Sequence, residues 1–182
     1  MSIQAVIFIG KSCSGKTHLA QHLSNKRGFR RVITTTTRPP IEGEVNGVDY
    51  YFVTKSQFKE MINKNKFAEY VKRGEQYYGT TKEELTIPGK AVMVLDKEGA
   101  QKVRDILGDK CFVIYVNADN KTREQRALNR KKIDMDEWTE RCMIDNREFL
   151  NYYSVANTVV DNSSDCLYEL DELLNQFESQ KA

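Results

Sequence analysis

Ile7-Phe8-Ile9-Gly10-Lys11-Ser12-Cys13-Ser14-Gly15-Lys16-Thr17 joins an apolar run to a loop bounded by two glycines. From Gly10 to Thr17 it fits the pattern G-x-x-x-x-G-K-[ST]. Residues 3–9 are apolar and β-branched and read as a strand, and 17–25 read as a helix. That order gives the motif its physical meaning. Glycines let the backbone curl until successive amides face one anion, and the helix N-terminus adds a favourable dipole. Lys16 reaches the outer phosphates, and the Thr17 hydroxyl suits Mg²⁺. The plainer alternative is a strand–turn–helix with a surface lysine. The motif implies that Gly10, Lys11, Ser12, Cys13, Ser14, Gly15, Lys16 and Thr17 hold the phosphates of ATP or a similar triphosphate, without naming a reaction.

Working outward, strand-like and helix-like segments alternate. Residues 91–95 and 112–116 are continuous apolar runs, the mark of strands buried on both faces. Residues 155–160 are a weaker run of the same kind. Between them, 98–107, 121–131 and 134–153 read as helices, and 164–178 closes the chain with leucines at helical spacing. The pattern predicts an α/β fold, a phosphate-loop (P-loop) NTPase-type parallel sheet flanked by helices. Residues 34–80 are richer in Thr, Tyr and Gly. Strands at 31–36 and 49–53 and a helix at 55–63, opening after Thr54, suggest an inserted small mixed or antiparallel sheet.

Composition excludes several classes. The chain has 182 residues and a net charge of +2, which argues against a dedicated nucleic-acid binder or a binder of anionic membranes. The longest run of hydrophobic residues is six, Cys111 to Val116, far short of the ~20 that span a bilayer. Cys13, Cys111, Cys142 and Cys166 form no Cys-x-x-Cys pair, and the N-terminus does not read as a signal peptide, so reduced thiols and a cytoplasmic setting are expected. His18 and His22 are spaced i,i+4, but Leu19 stands where a zinc-protease motif needs Glu.

A second block runs Thr34-Thr35-Thr36-Thr37-Arg38-Pro39-Pro40-Ile41-Glu42-Gly43-Glu44-Val45-Asn46-Gly47-Val48-Asp49-Tyr50. A third contains Phe67-Ala68-Glu69-Tyr70 and Tyr77-Tyr78-Gly79-Thr80. Taken singly, Arg38, Glu69, Tyr50 and Tyr78 have ordinary surface or core readings. Together, and in this order after the phosphate loop, T-T-R, G-E-V-N-G-x-D-Y, F-x-E and Y-Y-G-[ST] resemble the guanylate kinases. The likeness extends through Val94-Leu95-Asp96 and the arginines of 126–141, so it covers most of the chain.

The resemblance implies Mg²⁺-dependent transfer of the ATP γ-phosphate to GMP or dGMP. It implies a single domain: a core of about 1–33 and 91–182, a lid of about 121–141, and a GMP-binding subdomain of about 34–85. The counterparts of Arg38, Tyr50 and Tyr78 hold the GMP phosphate. Guanidinium is a fixed cationic fork, and a Tyr hydroxyl donates without adding charge. The counterparts of Glu69, Thr80 and Thr34 contact guanine, whose pairing edge presents neighbouring N–H donors to a carboxylate. Arg126, Arg130 and Arg141 match lid and catalytic arginines that stabilise charge on the moving phosphoryl group. Arg123, Lys131, Lys132 and Arg147 are expected at the surface. Asn162 falls near the adenine contact of the family, with the local order swapped.

Two departures stand out. The second phosphate-binding arginine of the pattern is Ile41 here. Leu95-Asp96-Lys97-Glu98-Gly99 is two residues shorter than L-D-x-D-x-x-G. Either Asp96 and Glu98 stand for both acidic positions, or Asp96 stands for the second alone; the resemblance implies GMP contact at base or ribose for one role there and ordering of magnesium-bound water for another. These departures leave two alternatives: a related P-loop kinase for another phosphorylated acceptor, and a non-catalytic interaction domain of the same shape.

Overall fold

A computed structural model of the chain describes residues 4–129 and 135–180. Five strands form one parallel sheet: β1 (Ala5–Ile9), β2 (Arg30–Arg31), β7 (Ala91–Val94), β8 (Cys111–Asn117) and β9 (Thr158–Asp161), in the order β2-β7-β1-β8-β9. The alternation of side chains along a strand divides the core in two. Val6 and Phe8 of β1 pack with Leu19 and Leu23 of α1 (Lys16–Arg27) and Leu170 and Leu174 of α7 (Leu167–Gln180). Ile7 and Ile9 face the other way, towards Ala100 and Val103 of α4 (Lys97–Leu107) and Phe149, just beyond α6 (Met135–Glu148). Strands covered on both faces are the reason for the unbroken apolar runs.

A second sheet has the order β4-β3-β6-β5. It is built from β3 (Thr35–Thr36), β4 (Tyr51–Phe52), β5 (Phe67–Arg73) and β6 (Gln76–Thr81), with α2 (Lys55–Asn63) and α3 (Lys82–Thr86) beside it. The β3–β4 pair is parallel, and β6 pairs antiparallel with both β3 and β5. The expected strand at 31–36 is in fact two. Arg30 and Arg31 belong to the large sheet, and Thr35 and Thr36 to the small one. The chain changes sheets between them, a tertiary event that local propensity does not signal. Helix α2 opens with a capping box, Thr54 with Gln57.

The two sheets are tied together. Arg30 donates to the carboxylate and to the backbone carbonyl of buried Glu84 in α3, at 2.6 Å each. Tyr51 donates to the same carboxylate at 3.2 Å. The carboxyl ends of β1 and β7 consequently open towards the small sheet, where ligands bind in parallel α/β folds.

Candidate active site

The phosphate loop leaves β1 at Gly10. That residue has φ +146°, and a Cβ there would collide with the Val116 carbonyl of β8. Gly15, at φ +98°, lies against the Asn162 side-chain amide with equally little room. Both positions therefore require glycine. Cys13 holds φ +59° without being one, a local strain of roughly 1–3 kcal/mol kept in place by its surroundings. The Ser14 amide closes the turn onto the Lys11 carbonyl at 3.2 Å. The Ser14 hydroxyl is buried without a hydrogen-bond partner among the described residues. Lys16 Nζ folds back across the loop, donating to the carbonyls of Gly10 and Lys11 at 2.7 and 2.8 Å. Burial pushes its pKa down to about 8, against the pull of Asp145 and with the push of Arg73.

Arg123 corrects the surface expectation: it is 1 % exposed. From α5 (Asn120–Asn129) its Nη2 donates to Asp145 of α6 at 2.8 Å, and its Nε to the Ser12 carbonyl at 2.8 Å. Asp145 in turn accepts from the Ser12 amide at 2.7 Å and the Ser12 hydroxyl at 3.1 Å. The guanidinium lies 5.4 Å from the Trp138 ring. A charged helix pair read as solvated thus buries one ion pair that grips the phosphate loop at Ser12. No local sequence signal marks it, because Arg123 and Asp145 meet only through the packing of α5 on α6. Arg147 is exposed, as expected.

Arg126 braces the loop from its carbonyl side. It donates to Ser14 O at 3.3 Å and to Asn162 O at 2.8 Å, while Asn162 Nδ2 donates to Ser14 O at 2.7 Å. Asn162 is therefore a structural partner of the loop. Arg141 is half exposed and pairs with Glu137 at 2.6 Å. Arg130 lies outside the described residues, as do Lys131 and Lys132.

On the acceptor side, Arg38 chelates Glu44 through Nη2 at 2.7 and 2.9 Å and lies over the Tyr50 ring at 5.3 Å. The Tyr50 and Tyr78 rings meet edge to face at 6.3 Å. A one-residue register shift between Phe67 and Glu69 places Glu69 opposite Thr80. Such a bulge re-aims the following side chain, and here Glu69 is buried within the wall of a cavity. Burial pushes its pKa up to about 7, with the neighbouring Thr80 hydroxyl and amide opposing the shift and the charge of Asp96 adding to it. The Thr80 hydroxyl is fully buried beside this carboxylate and, among the described residues, makes no hydrogen bond of good geometry. Gly99 lets the carboxylate approach the first turn of α4: a Cβ there would sit 3.0 Å from Glu69 Oε2. Asp96 caps that helix, accepting from the Gly99 amide at 2.6 Å.

One cavity of about 280 Å³ joins these parts. Gly10, Ser12 and Lys16 line it on one side, and Thr34, Tyr50, Glu69 and Tyr78 on the other, with Asp96, Asp145 and Arg73 between. It adjoins a wider cleft of about 940 Å³ where Glu98 and Arg141 stand. Glu98 is exposed and pairs with Lys102, so only Asp96 of the two acidic residues reaches the inner chamber. Arg38 does not line the chamber but backs Tyr50. Arg73 does line it, and nothing in its local sequence marks it.

Among the described residues no three His, Cys, Asp or Glu side chains form a metal cluster. Thr17, the second residue of α1, is exposed. A single hydroxyl completed by phosphate oxygens and water is a donor set that fits Mg²⁺.

Fold and site together define a phosphate-loop protein with a second polar pocket, lined by Thr34, Tyr50, Glu69 and Tyr78, facing the loop. A family model described as guanylate kinase matches residues 2–177. A guanylate kinase of Francisella tularensis subsp. tularensis is 33% identical over 132 residues, covering 70% of this chain and 69% of that protein. The guanylate kinase of Lactobacillus acidophilus is 37% identical over 145 residues, 75% of this chain and 71% of that one. The crystal structure of guanylate kinase from Anaplasma phagocytophilum superposes with a TM-score of 0.71 at 18% identity, covering 99% of this chain and 87% of that one. Shikimate kinase from Acinetobacter baumannii shares the fold more distantly, with a TM-score of 0.52. The chain belongs to the guanylate kinase family.

Proposed function

We infer that this protein transfers the γ-phosphate of ATP to GMP, giving ADP and GDP, with Mg²⁺ accompanying the triphosphate. The observation that carries the reading is the single cavity that brings Lys16 of the phosphate loop and Glu69 of the small sheet to one space. A nucleoside monophosphate kinase needs donor and acceptor in line, with water kept out. The fold supplies the first requirement by opening the carboxyl ends of β1 and β7 onto β5 and β6.

Each residue has a role that its chemistry supports. Amides of 13–17 and the Lys16 ammonium take the donor phosphates. Thr17 would hold Mg²⁺, which supplies charge neutralisation on the phosphates when bound. Glu69 accepts from the N–H groups of guanine, and the Thr80 hydroxyl and Thr34 are placed to complete the contacts to the base. Adenine would leave the carboxylate unpaired, and a site built to bond such groups rejects analogues lacking them by roughly 10⁴–10⁵. Tyr50, Tyr78 and, behind them, Arg38 take the acceptor phosphate. Arg141 and Arg130 are assigned to the closing lid, and Arg126 to the loop it already braces. The division into core, acceptor subdomain (about 34–85) and lid (about 121–141) belongs to the same proposal. So does a cytoplasmic setting, which four free cysteines support; no described helix is long and apolar enough to cross a membrane.

The test is ADP formation from ATP and Mg²⁺ with GMP, dGMP, AMP, UMP and ribose phosphates as acceptors. GMP-dependent release, far above that with AMP, is the expected result. Release with none of them, in a chain that still binds ATP, would overturn the reading.

A further inference from the structure

The acceptor pocket is short of positive charge where the reading above puts a phosphate. Position 41 is an exposed isoleucine. The Arg38 guanidinium is occupied by both oxygens of Glu44. Among the described residues, the only cations lining the chamber are Lys16 and Arg73. Lys16 is engaged with the loop's own carbonyls. A phosphate dianion entering beside Tyr50 and Tyr78 therefore meets one cation not already committed to the loop.

Arg73 ends β5 beside the turn at Gly74, and it is held in an informative way. Its Nη2 contacts Asp96 at 3.3 Å and the two oxygens of Glu148 at 3.1 and 3.4 Å. Every one of these contacts runs through that one nitrogen. Among the described residues Nε and Nη1 carry none, so each keeps an N–H donor for a ligand oxygen. An arginine tethered at one corner loses less freedom on binding than a free one, and a charge-assisted N–H to a phosphate oxygen is about twice as strong as a neutral hydrogen bond. Asp96 is mostly buried, which anchors the tether from the α4 end, and Glu148 anchors it from α6.

We propose that Arg73 is a substrate-contacting residue of this enzyme, supplying the second cation for the acceptor phosphate from β5, with Asp96 and Glu148 positioning it. The assignment rests on the acceptor reading of the pocket. It makes the neutral Ile41 a relocation of charge, not a loss.

Calorimetry with GMP and with guanosine, on the wild-type chain and on Arg73→Ala and Arg73→Lys, tests it. Guanosine carries the base and ribose without the phosphate. A charge-assisted contact is worth about 10- to 100-fold in affinity. The expected result is a loss of that size for GMP in Arg73→Ala, a smaller loss in Arg73→Lys, and unchanged guanosine affinity in both. GMP affinity within twofold of wild type in Arg73→Ala overturns the proposal. So does an equal loss for guanosine, which would show a merely structural role. A wild-type chain that binds neither ligand overturns the acceptor reading itself, and the Arg73 assignment with it.

Discussion

Glu69 faces Thr80 across the β5–β6 hairpin because the strand bulges by one residue after Phe67. Without that extra residue, period-two alternation would turn Glu69 out of the pocket. The pairing places a buried carboxylate and a buried hydroxyl without a well-formed bond side by side, an arrangement costly for folding and suited to a base that offers donors and a carbonyl.

Thr80→Val tests that cost directly. The substitution keeps the shape and removes a hydroxyl that lacks a well-formed bond, so at about pH 5–6, where Glu69 holds its proton, the free protein should gain stability by about 1 kcal/mol. Guanosine affinity should fall about tenfold as a contact to the base disappears. Urea unfolding and calorimetry read the two effects separately. A loss of stability would show that the hydroxyl is already satisfied without ligand.

The raised pKa of Glu69 has two consequences. In the folded chain the carboxyl holds its proton until about pH 7, whereas an ordinary glutamate releases it near 4.5. Between those values the folded state binds more protons than the unfolded one, so this group makes stability fall as pH rises from about 4.5 to 7. Glu69→Gln should flatten that part of the profile. Guanine recognition uses the ionised form, so guanosine affinity should rise with pH up to about 7 and release a proton on binding below it. Calorimetry in two buffers of different ionisation enthalpy measures that proton. Guanosine avoids the titrating phosphate of GMP.

The Arg123–Asp145 pair makes a different prediction. Removing either partner alone leaves a buried charge, and Arg123→Met or Asp145→Leu should each cost about 3–5 kcal/mol. The double variant should recover most of that stability, because an apolar pair of similar volume is often neutral or better. It should not recover ATP affinity, since Ser12 of the phosphate loop loses the acceptor of its amide and the donor to its carbonyl. Denaturation midpoints and ATP calorimetry on the three variants check this. Full recovery of ATP binding would make the pair a matter of stability alone.

The phosphate loop, the parallel sheet and several residues that line the chamber, Thr34, Tyr50, Glu69 and Tyr78, were legible because each is written locally. Gly10 and Gly15 carry the loop in eight consecutive residues, and runs such as 112–116 announce strands covered on both faces. What was not legible depends on distant packing. Arg123 and Asp145 lie 22 positions apart on different helices, in segments whose composition reads as solvated. Arg73 looks like any charged residue beside a turn until β5 is laid against α4 and α6. The crossing of the chain between sheets at 31–35 left no mark in side-chain pattern, since both ends are short, mixed and β-prone.

Lys16 sets the upper pH limit of the donor site. Its ammonium titrates near pH 8 in the free protein, because burial disfavours the charged form. Phosphate binding selects that charged form, so the bound state pulls its pKa back up. ATP affinity, measured at constant Mg²⁺, should therefore decline above about pH 8, approaching tenfold per unit, with proton uptake on binding. The phosphates are already ionised in that range, so the slope belongs to the protein. Lys16→Met should bind ATP weakly and without the slope, and its ADP production should be close to background. A pH-independent affinity from 7 to 9.5 in the wild-type chain would mean that Lys16 remains charged, and that its contacts to the Gly10 and Lys11 carbonyls outweigh the burial.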